Sequence, residues 1–235
     1  MSKPLHFPQF TRGERLADAV VHILGVSASL AAAPALLILA VWHSQSSLAL
    51  IEPGLSGPAL FNTANLSLAV YGLGLVAVFA CSAAYNMAWH PNWKEVLRRL
   101  DHAAIFVMIA GSYTPFSLAV IGGTWGWALF AVVWAVAALG VALKLFLPRR
   151  FERAAIVLYL AQGWSVLVVV EPLAAALSTP ALSLLVAGGV IYTLGVVFHL
   201  WRSLPYHNAI WHALVLIAAA CHYLAILDAV ALGTG

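Results

Sequence analysis

Charge is what this sequence has least of. Only 8% of its 235 residues are charged, whereas 63% are hydrophobic. A soluble domain carries about a quarter of its residues as charged side chains, because these cover its surface. The composition therefore excludes a soluble globular protein. The basic residues also form no stripe with interleaved aromatic residues, so we expect no nucleic-acid partner.

Cysteine is scarce as well. Cys81 and Cys221 both lie inside apolar stretches. Two cysteines are too few for a disulfide framework, and they lack the Cys-x-x-Cys spacing of metal or redox sites. We interpret them as small buried residues. Residues 1–16 are polar and precede a long apolar run, which does not fit a cleavable signal peptide, so the first apolar stretch is expected to insert by itself.

The few basic residues fall into four clusters, separated by gaps without Lys or Arg. The clusters hold all eleven Lys and Arg residues: Lys3, Arg12 and Arg15; Lys94, Arg98 and Arg99; Lys144, Arg149, Arg150 and Arg153; and Arg202. The intervening gaps contain acids or no charge, with Glu52, Glu171 and Asp228 among them. Cytoplasmic loops retain Lys and Arg. The alternation therefore predicts seven membrane spans, with the N-terminus cytoplasmic and the C-terminus outside.

The predicted fold class is all-α, a seven-helix transmembrane bundle. The spans cover roughly residues 16–42, 62–88, 100–121, 125–147, 154–170, 182–201 and 208–230. Each span is expected to be helical because backbone groups in lipid must satisfy their own hydrogen bonds, and none alternates like a barrel strand. We interpret residues 1–235 as one multi-pass domain in a cell inner membrane or plasma membrane, surrounded by membrane lipids.

Polar residues collect at the predicted cytoplasmic ends of the spans. They are Asp18, His22, Ser82, Asn86, Asp101, His102, His199, His207, Asn208 and His212. Intramembrane ionisable groups are costly and often functional, so this shared depth predicts one convergent site. The alternative is scattered packing, in which Asp18 and Asp101 stabilise helix N-termini and Ser82 bonds to its own backbone.

Two motifs resemble the bacterial hemolysin III proteins. One is RRLDHAAI at residues 98–105 with IAGSYTPF at 109–116, and the other is PYHNAIWH at 205–212. The segment from Glu14 to Gly25 is similar to that family's first helix. The family belongs with the progestin and adiponectin receptors, and the resemblance implies seven helices and a cytoplasmic N-terminus.

The resemblance also implies a zinc site near the cytoplasmic face. Its ligands are a His four residues after a Ser on span two and two His on span seven, with an Asp of span three close by. Ser82, Asp101 and His212 match this pattern, but Asn86 and Asn208 occupy two of the ligand positions. Asn is a poor zinc ligand.

Because Asn occupies positions 86 and 208, the family's zinc site lacks two of its ligands in this sequence. Zinc should bind weakly or not at all at these positions unless another histidine substitutes: His22, His90, His102 or His207. Otherwise Asn86, Asp101, Asn208 and His212 are expected to form a hydrogen-bonded network in the pocket.

Three functions follow from the resemblance. The first is a non-catalytic sensor or membrane-homeostasis factor that keeps the polar pocket. The second is a zinc-dependent hydrolase of a lipid amide or ester, with Asp101 and Ser82 as candidate catalytic residues. The third is a membrane-permeabilising hemolysin. A lipid is the expected ligand or substrate in the first two.

The predicted topology can be checked by labelling. Cysteine labels or reporter fusions placed in residues 44–58 and at the C-terminus should be accessible from outside the cell, because every Lys and Arg cluster is assigned to the other side. A cytoplasmic position for either site contradicts the seven-span topology.

Overall fold

The fold is built almost entirely from helices. The structure is a computed structural model that describes residues 10–51, 62–88, 91–147 and 149–233. In chain order the α-helices are α1 (Arg12–Ile51), α2 (Thr63–Met87), α3 (Pro91–Pro115), α4 (Gly123–Phe146), α5 (Glu152–Gly163), α6 (Val170–Ala176), α7 (Thr179–Leu200) and α8 (His207–Ile226). Two π-helices, Phe116–Ile121 and Leu227–Ala231, extend α3 and α8, and a 3₁₀ helix, Ser165–Val169, joins α5 to α6. The described residues include no β-strand, which confirms the all-α class.

Seven helical segments of the described chain are long and apolar enough to cross a membrane. They are Arg12–Ser46, Thr63–Met87, Trp93–Ile121, Gly123–Phe146, Glu152–Ala176, Thr179–Leu200 and His207–Ala231. The shortest has 22 residues. At about 1.5 Å per residue, this length reaches across a hydrocarbon core of about 30 Å. The predicted number of spans is therefore confirmed.

The helices pack in a ring that follows the chain. α1 contacts α2 and α8, α2 contacts α3, α3 contacts α4, and α7 contacts α8, while α5 touches α3, α4 and α7. Small residues let neighbouring helices approach closely in lipid. A Cβ atom added to Gly25 of α1 would lie 2.6 Å from the ring of Phe79 on α2. This close approach brings the first turns of α1 against the last turns of α2.

The fifth span is broken, although the sequence predicts one helix over residues 154–170. The phenol of Tyr113 on α3 donates to the Gly163 carbonyl and accepts from the Val166 backbone N–H at 2.9 Å. These bonds satisfy backbone groups that the break would leave unpaired in lipid. The break also places Pro172 in the first turn of α6, where the missing N–H costs little. Pro172 therefore lies within the span instead of ending it.

The described basic residues gather at one end of the bundle. We call this the basic end; it is the end where α1, α3, α5 and α8 begin and where α2, α4 and α7 finish. Ion pairs hold part of it together, with Arg98 Nη1 2.9 Å from Glu152 Oε1 and Arg149 Nη2 2.8 Å from Glu95 Oε2. Which side of the membrane the basic end faces stays a prediction.

Candidate metal centre

Two polar residues of α1 begin the site. Asp18 and His22 lie four residues apart, so they share one face of the helix. Both are buried, with 8% and 3% of their surface exposed. His22 Nδ1 lies 2.7 Å from the Asp18 carbonyl oxygen, which can only accept a hydrogen bond. The neutral imidazole therefore carries its proton on Nδ1 and a lone pair on Nε2, and that Nε2 lies 3.2 Å from Ser82 Oγ on α2.

The Asp18 carboxylate joins α1 to α8. Its Oδ1 lies 2.6 Å from His212 Nδ1, and its Oδ2 accepts from Asn208 Nδ2 at 3.0 Å. Asn208 and His212 are also four residues apart and share a face. The Asp18 and His212 side chains are each only 12% exposed. Electrostatic contacts are stronger at such burial than in water, so this pair links the two helices firmly.

Two polar residues of α2 close the network. Asn86 Nδ2 donates to the Ser82 carbonyl at 3.0 Å, and Asn86 Oδ1 accepts from Asn208 Nδ2 at 3.3 Å. Ser82 Oγ lies 3.5 Å from His212 Nε2. Three helices, α1, α2 and α8, thus contribute two polar side chains each to one connected cluster at the basic end.

Three members of this cluster could form a metal-ligand set. One donor atom each of Asp18, His22 and His212 lie within 4.8 Å of one another. A carboxylate with two imidazoles is a common ligand set for zinc sites that keep an open position, and for non-haem iron. A metal-binding His typically donates its other ring N–H to a carbonyl or carboxylate, as His22 and His212 do here. The three side chains can therefore hold a metal ion, and several divalent ions suit them.

Asp101 lies beside this network without a hydrogen bond to it. The structure brings Asn86, Asn208 and His212 together, as described above. The Asp101 carboxylate instead lies 3.7 Å from His102 Nδ1. It is within electrostatic range of the His22 imidazole. Among the residues that the structure describes, Asp101 therefore makes its closest ionic contact with His102 and not with the cluster.

The histidines that the sequence offers as replacement ligands differ in what they contact. His22 belongs to the ligand set. His102 Nδ1 contacts a backbone carbonyl of its own helix at 2.7 Å. His207 packs against Phe10, with 5.8 Å between ring centroids. His90 lies outside the described residues. Of those described, His22 is thus the replacement candidate that lies among the possible metal ligands.

Asp18 belongs to the polar set that the sequence predicts to converge, but the sequence interpretation did not name it as a metal ligand. A role at the helix N-terminus was open for it, but α1 begins earlier, at Arg12. The capping pair is Thr11 with Glu14: the Glu14 N–H donates to Thr11 Oγ1 at 3.2 Å, and Glu14 Oε2 accepts from the Thr11 N–H at 2.8 Å. This Thr-x-x-Glu spacing is a recognised start signal. Applying it would have placed Asp18 inside the helix, on the face of His22.

Known proteins resemble the chain along most of its length. The family described as Haemolysin-III related matches residues 10–223. Hemolysin-3 of Bacillus cereus is 35% identical over 225 residues, 96% of this chain and 95% of that protein. The Hemolysin-3 homolog of Bacillus subtilis is 34% identical over 220 residues, 93% and 95% of the two chains. The human monocyte to macrophage differentiation factor is 31% identical over 198 residues, 75% and 78% of the two chains. This multi-pass membrane protein therefore belongs to the hemolysin III family.

Proposed function

We propose that this protein is a zinc-binding membrane protein that acts as a non-catalytic sensor or membrane-homeostasis factor. Asp18, His22 and His212 would hold the ion at the basic end, which we place on the cytoplasmic side. A bound ion would tie α1 to α8, and its release would leave their contact at this depth to hydrogen bonds and to the packing of the His22 and His212 rings. Ion occupancy would thereby set the arrangement of these helices in the bundle.

The observation that carries the proposal is the buried contact of Asp18 with His212. An isolated carboxylate is costly to bury, whereas one that meets a cation or a metal is stabilised. His212 Nδ1 lies 2.6 Å from Asp18 Oδ1, and both imidazoles have their Nε2 atoms near Ser82 Oγ. The Nε2 atoms of the two imidazoles thus converge beside Ser82 Oγ, and the Asp18 carboxylate lies at the Nδ1 side of both rings. Zinc suits this mixture of nitrogen and oxygen donors.

The surroundings of Asp101 favour a non-catalytic role. In the hydrolase hypothesis, a zinc ion would supply an activated water, and Asp101 would serve as its general base. The described contact of Asp101 is with His102, at 3.7 Å. The polar groups around the ligand set, Ser82, Asn86 and Asn208, are already bonded to one another or to Asp18. This arrangement supports a closed polar pocket better than a reaction centre.

Zinc content tests the proposal directly. The native protein, purified in detergent without chelators, should contain about one zinc ion per chain, the stoichiometry of a single site with one carboxylate and two imidazoles. His22→Ala and His212→Ala should each reduce zinc to background in elemental analysis. His43→Ala, at the far end of α1, is the matched control and should retain zinc. A native protein that neither contains zinc nor takes it up on titration overturns the proposal.

Restoring the family's histidines should strengthen the site. Asn208→His adds an imidazole on the face of His212, and Asn86→His adds one across the 3.3 Å contact between Asn86 and Asn208. The double variant should bind zinc at least about tenfold more tightly than the native chain, because imidazole is a far better ligand than a carboxamide. Competition with a fluorescent chelator measures this. No gain in a folded double variant would show that these positions do not converge on the ion.

A further inference from the structure

The first turn of α1 and the two residues before it pack against the start of α8 at the basic end. We call residues Phe10–Arg15 the strap. Its central contact is made by Glu14, whose Oε1 accepts the Tyr206 backbone N–H at 3.0 Å. The other oxygen, Oε2, accepts from the backbone N–H and the hydroxyl of Thr11, both at 2.8 Å. One carboxylate thus ties the start of α1 to the residue that precedes α8.

Two further contacts join the strap to the same place. A Cβ atom added to Gly13 would lie 2.8 Å from the Tyr206 hydroxyl, so the phenol lies directly against the strap backbone. The ring of Phe10 packs on His207. His207 Nδ1 is buried and has no hydrogen-bond partner among the described residues. The strap therefore covers a polar atom that could contact an entering cation or water.

Tyr206 adopts a backbone conformation that needs support. Its φ of 62° and ψ of 12° lie in the left-handed region, which is unfavourable for residues with a Cβ atom. Its side chain makes no capping hydrogen bond to α8. Strained residues persist where their surroundings hold them, and they concentrate at functional sites. Here the support comes from Glu14 and from the strap backbone.

The contact of Glu14 with Tyr206 lies on the same face of α1 as the metal-ligand set. Glu14, Asp18 and His22 follow one another at intervals of four residues and so lie along one face of α1. Asp18 contacts Asn208 and His212, and Glu14 contacts the backbone just before them. Glu14 therefore sets the position of the start of α8 one helical turn beyond the ligands, towards the basic end.

We propose that Glu14 is a positioning residue of the metal centre, and that the strap it holds controls the passage of ions between the site and the solvent at the basic end. The inference rests on the proposed zinc site. It predicts that loosening the strap speeds both uptake and release of zinc while the ligands stay intact. The affinity, which is the ratio of the two rates, should change less than either rate.

The test combines hydrogen exchange with zinc release in the purified full-length protein. Glu14→Ala should speed amide exchange in peptides covering residues 204–212, and should speed zinc release to a chelator by about tenfold, as expected for loss of a hydrogen bond to a charged group. Glu14→Gln keeps an acceptor oxygen and should restore most of the native protection. Thr11→Ala weakens the cap of α1 but leaves the bond from Glu14 to Tyr206, so exchange in 204–212 should stay native. Glu171→Ala removes an exposed carboxylate at the other end and should change nothing.

The outcomes separate this proposal from the zinc site itself. If Glu14→Ala leaves exchange in 204–212 unchanged, or matches Thr11→Ala, Glu14 does not position α8. If exchange rises but zinc release keeps its native rate, the strap does not control passage, and that part is overturned. If the native protein binds no zinc, the proposed function fails, and control of ion passage fails with it. The exchange data then still decide whether Glu14 positions α8.

Discussion

The arrangement of the basic end depends on one buried carboxylate. Asp18 contacts His212 with one oxygen and Asn208 with the other, at 2.6 and 3.0 Å. An ionised carboxylate is costly to bury unless it is paired and hydrogen-bonded. If α8 moved away from α1, the buried carboxylate would lose its hydrogen-bond partners. The two helices are therefore fixed in register at this depth. The neighbouring contacts of Glu14 and His22 extend the same face of α1 in both directions.

Contacts elsewhere in the bundle hold the neighbouring helices close to the contact between Asp18 and His212. Close packing of Gly25 against Phe79 brings α2 near α1, which lets Ser82 reach His22 at 3.2 Å. On the other side of the ring, the ion pair of Arg98 on α3 with Glu152 on α5 braces the basic end. Lipid gives little hydrophobic drive between helices, so small residues and polar contacts carry the association.

The sequence predicted the bundle better than the site. Charge clusters and apolar runs are local signals, and they predicted the number of spans correctly. The break in span five depends on Tyr113, a residue of another helix, which no local pattern reveals. Asp18 was placed in the convergent polar set but not among the candidate ligands, because a carboxylate near a helix start has an ordinary capping role. Thr11 and Glu14 fill that role here. The family pattern predicted Asn86, Asn208 and His212 as ligand positions and offered His22 only as a replacement, and it included no carboxylate of α1.

The central claim is that α1 and α8 share one metal ion through a carboxylate and two imidazoles. X-ray absorption at the zinc edge of the zinc-loaded native protein measures this most directly, because it reports the number of imidazole ligands. The account predicts two imidazole nitrogens together with oxygen donors, all at about 2.0–2.2 Å. Three imidazoles, or a shell of oxygen atoms alone, would contradict it.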